Sequence, residues 1–299
     1  MSTRVVGAET TSRTLTPVER SLSAYCSNVF PMSLKIGAHV DQSDPIAQAQ
    51  ARQVPLVQFF LGDPQGYKGP EVAYADGAAA LRTAAEAADI DLYVHAPYIV
   101  NVATTNNRIR IPSRKLLQQH VDAAAEIGAK GLIVHGGHVD KAAGDPDLIH
   151  KGFDNWRKAV DATDLKIPLL IENTAGGDHA MTRYLDRIAG VWDAISGCEQ
   201  ADMVGFCLDT CHAHAGGNRL ETVVADVLAI TGRIDLVHCN DSRDEFDSGA
   251  DRHANLGAGK IDADLLAAVI RDAGAPVVLE TPGAAAEHVD DVAWLRERL

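Results

Sequence analysis

The stretch VGFCLDTCHAHAGG (204–217) joins an almost wholly apolar run to a knot of side chains that bind transition metals. Val204 to Leu208 lacks the polar alternation of a half-solvated strand. That is how a strand buried on both faces of a parallel sheet reads. Asp209, Cys211, His212 and His214 follow at once, with Cys207 just before. Alone, the stretch fits three accounts: a fragment of a cysteine-based zinc site, a catalytic site built on Asp209 and a histidine, or a buried strand that carries thiols.

The same pattern recurs along the chain and selects the fold. Short, nearly continuous apolar runs occur at LKIGAHV (34–40), LVQFF (56–60), DLYVHAP (91–97), GLIVHGG (131–137), PLLIENT (168–174), IDLVHCN (234–240) and PVVLET (276–281), as well as at 204–210. Between them lie Ala- and Leu-rich segments with helical spacing: DGAAALRTAAEAA, SRKLLQQHVDAAAEIG, MTRYLDRIAGVWDAI, LETVVADVLAI and DADLLAAVIRDAG. Several of these stop at glycine, as helices do. Eight strands alternating with eight helices over about 265 residues predict an α/β fold of the TIM (β/α)8 barrel type. A doubly wound open sheet is the competing arrangement, but no phosphate-cradling glycine fingerprint follows the first strand.

Residues 1–33 differ from the rest. They are rich in Ser, Thr and Arg without a sustained period, and they read as a disordered extension ahead of a barrel domain over 34–299. Met32 is a second candidate start. Glu9 and Glu19 argue against a transit peptide. No apolar run reaches the roughly 18 residues that span a membrane, and no signal-peptide core is present. The five cysteines, Cys26, Cys198, Cys207, Cys211 and Cys239, are odd in number and scattered. They do not form a disulfide framework, which points to a reducing, cytoplasmic setting. The net charge is −14, the opposite of the usual nucleic-acid footprint, unless bound metal neutralises some of the carboxylates.

The chemistry-bearing residues sit at the C-terminal ends of the strands, where barrel active sites lie. These are His39, His95, His135, Glu172, Asp209, His238 and Glu280. Any one of them alone has an ordinary reading, since an Asp after a strand often caps a helix. Their shared position is what singles them out. Loop residues add His212, Asp251 and His253, the last two close enough in sequence to grip one ion. Mixed His/carboxylate ligation suits catalytic zinc or manganese, whereas structural zinc prefers cysteine. The supply of ligands exceeds one ion, and clustered ions are the usual apparatus of phosphodiester hydrolysis. A basic run follows strand 3, NNRIRIPSRK (106–115). Its Arg108, Arg110, Arg114 and Lys115 read equally as phosphate contacts or as a solvated helix start.

The phrases IGAHV, VHAPYIVN, VHGGH, LIENTAGG, CLDTCHA, VHCNDS, DRHANLGAG and VLET occur in that order from about Leu34 to the C-terminus. Together they resemble the endonuclease IV family of apurinic/apyrimidinic (AP) endonucleases, with every strand but the second matching closely. The resemblance implies a TIM barrel that holds three zinc ions and cleaves double-stranded DNA 5′ to abasic sites, as a monomer and without a membrane. It implies a first zinc on His95, His135 and Glu172, a second on Glu172, Asp209, His238 and Glu280, and a third on His212, Asp251 and His253. Glu172 would orient and deprotonate the attacking hydroxide in an in-line displacement with no covalent intermediate. Tyr98, Ile99 and Asn101 match residues the family pushes into the duplex to turn the abasic nucleotide out, a step that costs least at a damaged site. Gln65 falls where relatives carry an intercalating Arg, and Tyr67 near an aromatic of the same loop. His39 is implied in a supporting place behind the ligands. His138, His179 and His214 are structural or surface residues on this reading. The alternatives are a sugar isomerase or epimerase of the related xylose-isomerase-like barrels, which has no need of His212, Asp251 and His253, and a non-catalytic protein that binds damaged DNA.

Overall fold

The eight apolar runs close into a parallel barrel in the computed structural model, which describes residues 34–140 and 147–299. The extension expected over residues 1–33, with Met32, lies outside the described residues. Strands β1 (Ile36–His39), β2 (Leu56–Phe60), β3 (Asp91–His95), β4 (Gly131–His135), β5 (Leu169–Glu172), β6 (Val204–Asp209) and β7 (Leu236–His238) follow one another around the wall. A two-residue antiparallel hairpin, β8 (Asp241–Ser242) with β9 (His253–Ala254), stands in the loop after β7. Strand β10 (Val277–Leu279) then pairs with both β7 and β1 and closes the ring.

Helices intervene between the wall strands: α1 (Pro45–Arg52), α2 (Gly77–Ala88), α3 (Asn107–Glu126), α4 (Leu148–Ala162), α5 (Leu185–Ile195), the short α6 (Thr210–Ala215), α7 (Val223–Thr231), α8 (Ala263–Ala273) and α9 (Ala285–Arg296). Local chemistry sets several of their ends. The Asp44 carboxylate accepts from the Ala47 amide at 3.0 Å at the start of α1. Asp262 accepts from Asp264 and Leu265 at the start of α8, and left-handed Gly274 ends that helix.

Two helix starts depart from the periodicity. Helix α3 begins at Asn107, six residues ahead of the SRKLLQQH run, because the Asn106 side chain caps it by accepting from the Arg108 amide at 3.0 Å. The helix then runs on through Pro112. Helix α5 begins at Leu185, not Met181. The Met181 amide donates to the Gly137 carbonyl at 2.9 Å and the Thr182 hydroxyl to the Glu172 carbonyl at 2.7 Å, so this segment is tied to the barrel rim. Such tertiary bonds outweigh the small helical preference of four residues.

The core has two layers. Inside the barrel, Leu56, Tyr93, Ile133, Leu170, Cys207, Leu236 and Val278 pack against one another. Cys207 is therefore a buried core residue, as its inward face suggests. Outside the wall, Phe59, Phe206 and Trp156 are fully buried, and the Trp156 indole N–H donates to the Gly136 carbonyl at 2.8 Å. Among the described residues no helix is long and apolar enough to cross a membrane.

Gly37 marks the tightest packing in the wall. A Cβ there would lie 2.0 Å from the Leu56 carbonyl oxygen of the neighbouring strand, so the backbone itself would have to move. Gly37→Ala is expected to destabilise the protein by about 1–3 kcal/mol or more. Gly197→Ala, with nothing near its Cβ, should leave stability close to wild type. Urea denaturation followed by circular dichroism measures both, and equal midpoints would contradict the packing account.

Candidate metal centre

Parallel register brings the polar strand ends together. His135 lies opposite Glu172 and Asp209 opposite His238, while His39 stands beside Gln58. His95 ends β3, and Glu280 directly follows β10. At the last inward position of each strand the side chain turns onto the mouth of the barrel, above the apolar plug that fills its interior.

Glu172 is fully buried at the centre. Its Oε2 lies 3.1 Å from His95 Nε2 and 3.4 Å from His135 Nε2. Its Oε1 lies 3.1 Å from His212 Nδ1 and 3.2 Å from His238 Nδ1. His238 Nδ1 is also 3.4 Å from Glu280 Oε2 and 4.0 Å from Asp209 Oδ2. On the outer side, His212 Nε2 and His253 Nε2 each lie 3.1 Å from the same Asp251 oxygen. Potential ligand atoms thus gather within 4.8 Å of one another in the groups His95–His135–Glu172, Glu172–Asp209–His238–Glu280 and His212–Asp251–His253. Cys211 comes within the same spacing of Asp209 and His253, but burial, helped by Asp209, pushes its thiol up to about 12.

The hydrogen bonds on the far sides of the histidines show which nitrogen holds a lone pair. His95 Nδ1 donates to the Ala96 carbonyl at 2.7 Å, His212 Nδ1 to the Asn173 carbonyl at 2.9 Å and His253 Nδ1 to the Glu280 carbonyl at 3.2 Å. His238 Nε2 donates to the Gln58 carbonyl oxygen at 2.8 Å. The other nitrogen of His95 and of His238 thereby faces Glu172, and that of His212 and of His253 faces Asp251. A lone pair facing a carboxylate requires positive charge between them or on the ring. His212 Nε2 and His253 Nε2 are buried and form no hydrogen bond, although both sit near Asp251. Atoms that converge on a point without bonding each other suit a shared cation.

The electrostatics agree. Burial alone would raise Glu172, yet the surrounding histidines, His238 and His135 foremost, hold it well below the usual carboxylate range. Burial raises Asp209 and pushes His135 down to about 4. Burial opposes a charge on His212, but Asp209 and then Asp251 raise it well above the ordinary imidazole value. Four carboxylates crowded at one mouth demand cationic partners, and the donor set of imidazole nitrogens and carboxylate oxygens fits zinc or manganese.

A scaffold of amides holds the ligands in place. Asn173 exchanges two hydrogen bonds with the Asp209 backbone, at 2.9 and 2.7 Å. Asn240 donates to Asp209 Oδ2 at 2.7 Å and accepts from the Glu280 amide at 2.8 Å. Gln58 gives its NH2 to Glu280 Oε1 at 2.6 Å while its oxygen receives His238, and it also touches His39 Nδ1 at 3.1 Å. His39 thus stands behind Glu280 and is not one of the three groups. The buried Asp241 carboxylate accepts from the amides of Ser242, Gly257, Gly259 and Ile261, which anchors the loop that follows His253. The preceding loop is tied down by Asp247 and Gly249, whose amides donate to the carbonyls of His214 and Ala215.

The residues expected to touch DNA divide into two sets. Tyr98 is 52% exposed beside the centre, its ring 5.6 Å from His95 and 5.7 Å from His135. With Tyr67, Ile99 and Ile109 it lines a recess of about 370 Å³, and Gln65 is exposed on the neighbouring loop. Asn101 is instead only 5% exposed, and its amide is committed to the His138 backbone and the Thr104 amide. It shapes the loop from within. Arg108 and Lys115 are exposed on α3. Arg110 and Arg114 turn to the carbonyls of Thr104 and Asn155 and serve helix packing. His138 pairs with Ala180 at the rim, and the His214 ring packs edge-on to Phe246 at 5.7 Å.

Sequence reasoning missed Gln58, Asn173, Asn240, Arg243 and Arg252. The two arginines line the recess of about 360 Å³ over His95, His135, His212 and Asp251. Both are exposed, and Arg252 forms an ion pair with Asp244. The signal for Gln58 was present, since it is the sole polar residue in β2.

Comparison with known proteins places the chain. A family model described as "Xylose isomerase-like TIM barrel" matches residues 46–298. The protein named "Probable endonuclease 4" from Mycobacterium bovis (strain BCG / Pasteur 1173P2) is 56% identical over 263 residues, covering 88% of this chain and 98% of that one. Its namesake from Mycobacterium marinum (strain ATCC BAA-535 / M) is 54% identical over 264 residues, with the same coverage. Among solved structures, endonuclease IV from Thermus thermophilus superposes with a TM-score of 0.74 at 26% identity, over 88% of this chain and 99% of that one. A D-tagatose 3-epimerase-like protein reaches 0.72 at 18% identity, over 89% and 97%, a likeness of fold alone. With this fold, this ring of histidines and carboxylates, and relatives more than half identical over most of its length, the chain belongs to the endonuclease 4 family of xylose isomerase-like TIM barrels.

Proposed function

We propose that this chain is a zinc-dependent DNA repair endonuclease that hydrolyses the phosphodiester 5′ to abasic sites in double-stranded DNA, leaving a 3′-hydroxyl, and that it also trims blocked 3′ ends. The observation that carries this reading is the gathering of three ligand groups at one barrel mouth, two of them sharing the buried carboxylate of Glu172 and the third built on Asp251 beside them. His95, His135 and Glu172 would hold the first ion. Glu172, Asp209, His238 and Glu280 would hold the second, and His212, Asp251 and His253 the third. Ions bound there supply Lewis-acid charge against the phosphoryl oxygens and lower the pKa of water. Three divalent cations would also offset six of the fourteen net negative charges, easing the approach of DNA to an acidic chain.

The chain's own groups do the rest. Glu172, with its two oxygens turned to two different ligand groups, orients the attacking water and accepts its proton. Phe60 and Tyr98, 5.1 Å apart, wall the mouth and exclude bulk water. Arg243 at the rim offers charge to a phosphate. Tyr98 and Tyr67, both exposed, stack against the duplex where the abasic nucleotide leaves it, and the protein acts as a cytoplasmic monomer.

A sugar epimerase of this barrel type would employ the first two groups only. His212, Asp251 and His253, joined through one carboxylate oxygen, would then have no task.

Incubation with a duplex holding one abasic analogue should give a single cut 5′ to the lesion, and metal analysis should find about three zinc ions per chain. Glu172→Gln is expected to bind that duplex but lose incision by a factor of at least about a hundred, the scale of a general base. A wild-type protein that binds and never cuts would support the damage-binding alternative.

Gln58→Leu removes the amide that orients His238 and Glu280 while keeping the volume apolar. It should weaken metal retention about ten- to a hundredfold, read as faster transfer of zinc to a chromophoric chelator, with the melting transition preserved. Unchanged transfer kinetics would show that Gln58 does not orient the ligands.

A further inference from the structure

A second cavity, of about 670 Å³, opens beside the centre between the loops that follow β1 and β10. It shares the ligands His253 and Glu280 with the cluster, and it is also lined by His39, Tyr98, Arg52 and His288. Arg52 is 6% exposed, in the last turn of α1. Its side chain runs back along the helix, where Nη1 donates to the Gln48 carbonyl at 3.2 Å and also to the Gln48 side chain. Its Nε donates to His288 Nδ1 at 2.8 Å, and His288 Nε2 in turn donates to the Thr281 carbonyl at 2.9 Å. That chain of bonds makes His288 the neutral acceptor of the pair.

Arg52 is therefore a buried cation held by neutral partners. Among the described residues no carboxylate forms an ion pair with it. Burial pushes its pKa down with no opposing charge to restore it. Asp41 also lines the cavity, but its carboxylate is turned to the Ser43 amide and hydroxyl. The Nη2 group of Arg52 has no acceptor among the described residues, and the residue lines the cavity. Buried charges are normally paired, and the two free N–H donors of a charged Nη2 group suit a phosphate oxygen. The cavity is lined both by Arg52 and by the ligand residues His253 and Glu280, so an anion seated in it would be continuous with a strand lying on the cluster.

We infer that this cavity is a second phosphate subsite, in which Arg52 receives the backbone phosphate adjoining the scissile one on the damaged strand. His288 and Gln48 are positioning residues that fix Nε and Nη1 and leave the Nη2 group free. The inference rests on the reading of the chain as an abasic-site endonuclease.

The test uses duplexes with one abasic analogue and a single neutral methylphosphonate at each flanking position of that strand in turn. Binding is measured in the Glu172→Gln background and kcat/KM for incision in the otherwise wild-type protein, each with Arg52 and with Arg52→Met. At one flanking position the methylphosphonate should cost the Arg52 proteins about ten- to a hundredfold, the scale of a charged hydrogen bond, and the Arg52→Met proteins less than about twofold. Elsewhere both should pay equally. Arg52→Lys should restore part of the position dependence, and it carries the comparison if Arg52→Met fails to fold. Equal penalties at every position overturn the subsite. Stabilisation by inorganic phosphate that requires Arg52, with no coupled position in the duplex, also overturns it and assigns the cavity to a free anion. If unmodified abasic duplex is neither bound nor cut, the endonuclease reading itself fails and the subsite falls with it. If that duplex is cut and no position couples to Arg52, only the subsite fails.

Discussion

The buried carboxylate of Glu172 is the constraint on which the mouth of the barrel depends. It is fully enclosed, and each of its oxygens faces two histidine nitrogens. A bare carboxylate at that depth would cost several kcal/mol, which no single hydrogen bond could offset. The structure surrounds it with imidazoles, whose own spare lone pairs are acceptable only if positive charge enters the cluster. The acid and its histidines therefore stand or fall together, and with them the two groups of ligand atoms that share it.

The rest of the upper face serves that arrangement. Backbone carbonyls at Ala96, Asn173 and Glu280 take the outward ring protons of His95, His212 and His253, and the Gln58 amide takes that of His238. Asn173 and Asn240 grip Asp209 from two sides, and Asp241 staples the long loop after β9 through backbone amides. These groups leave little rotational freedom to the ligands, which is the pre-organisation that a metal site or a transition state rewards. The same logic makes Arg52 conspicuous. It is a buried charge with neutral partners, lining a cavity that the ligands His253 and Glu280 also line.

Much of this was legible before the chain was folded, and the reason is periodicity. Parallel strands buried on both faces read as apolar runs, so a charged or imidazole side chain at the end of a run stands out against its background. His95, His135, Glu172, Asp209 and His238 are of this kind. Residues whose task is to orient others were harder to see. Asn173 and Asn240 look like ordinary loop residues, and Gln58 looks like a lapse in a strand. The basic run at 106–115 could not be divided by inspection, since charge alone does not say that Arg110 and Arg114 turn inward to carbonyls while Arg108 and Lys115 stay in solvent.

In the stretch 204–217, composition settles that a buried strand ends in Asp209; His212, expected in a loop, stands instead on the short helix α6, whose first turn is capped by the Asp209 carboxylate. Alternation settles that Cys207 points into the core. Folding adds the partners. Asp209 meets His238 through strand register, His212 meets Asp251 and His253 from a loop about forty residues later, and Cys211 and His214 become packing residues. Local pattern depends on the solvent exposure of one segment, which neighbouring residues already encode. Which donor faces which acceptor depends on barrel closure and loop anchoring, and these involve residues hundreds of positions apart, such as Gln58 and Glu280.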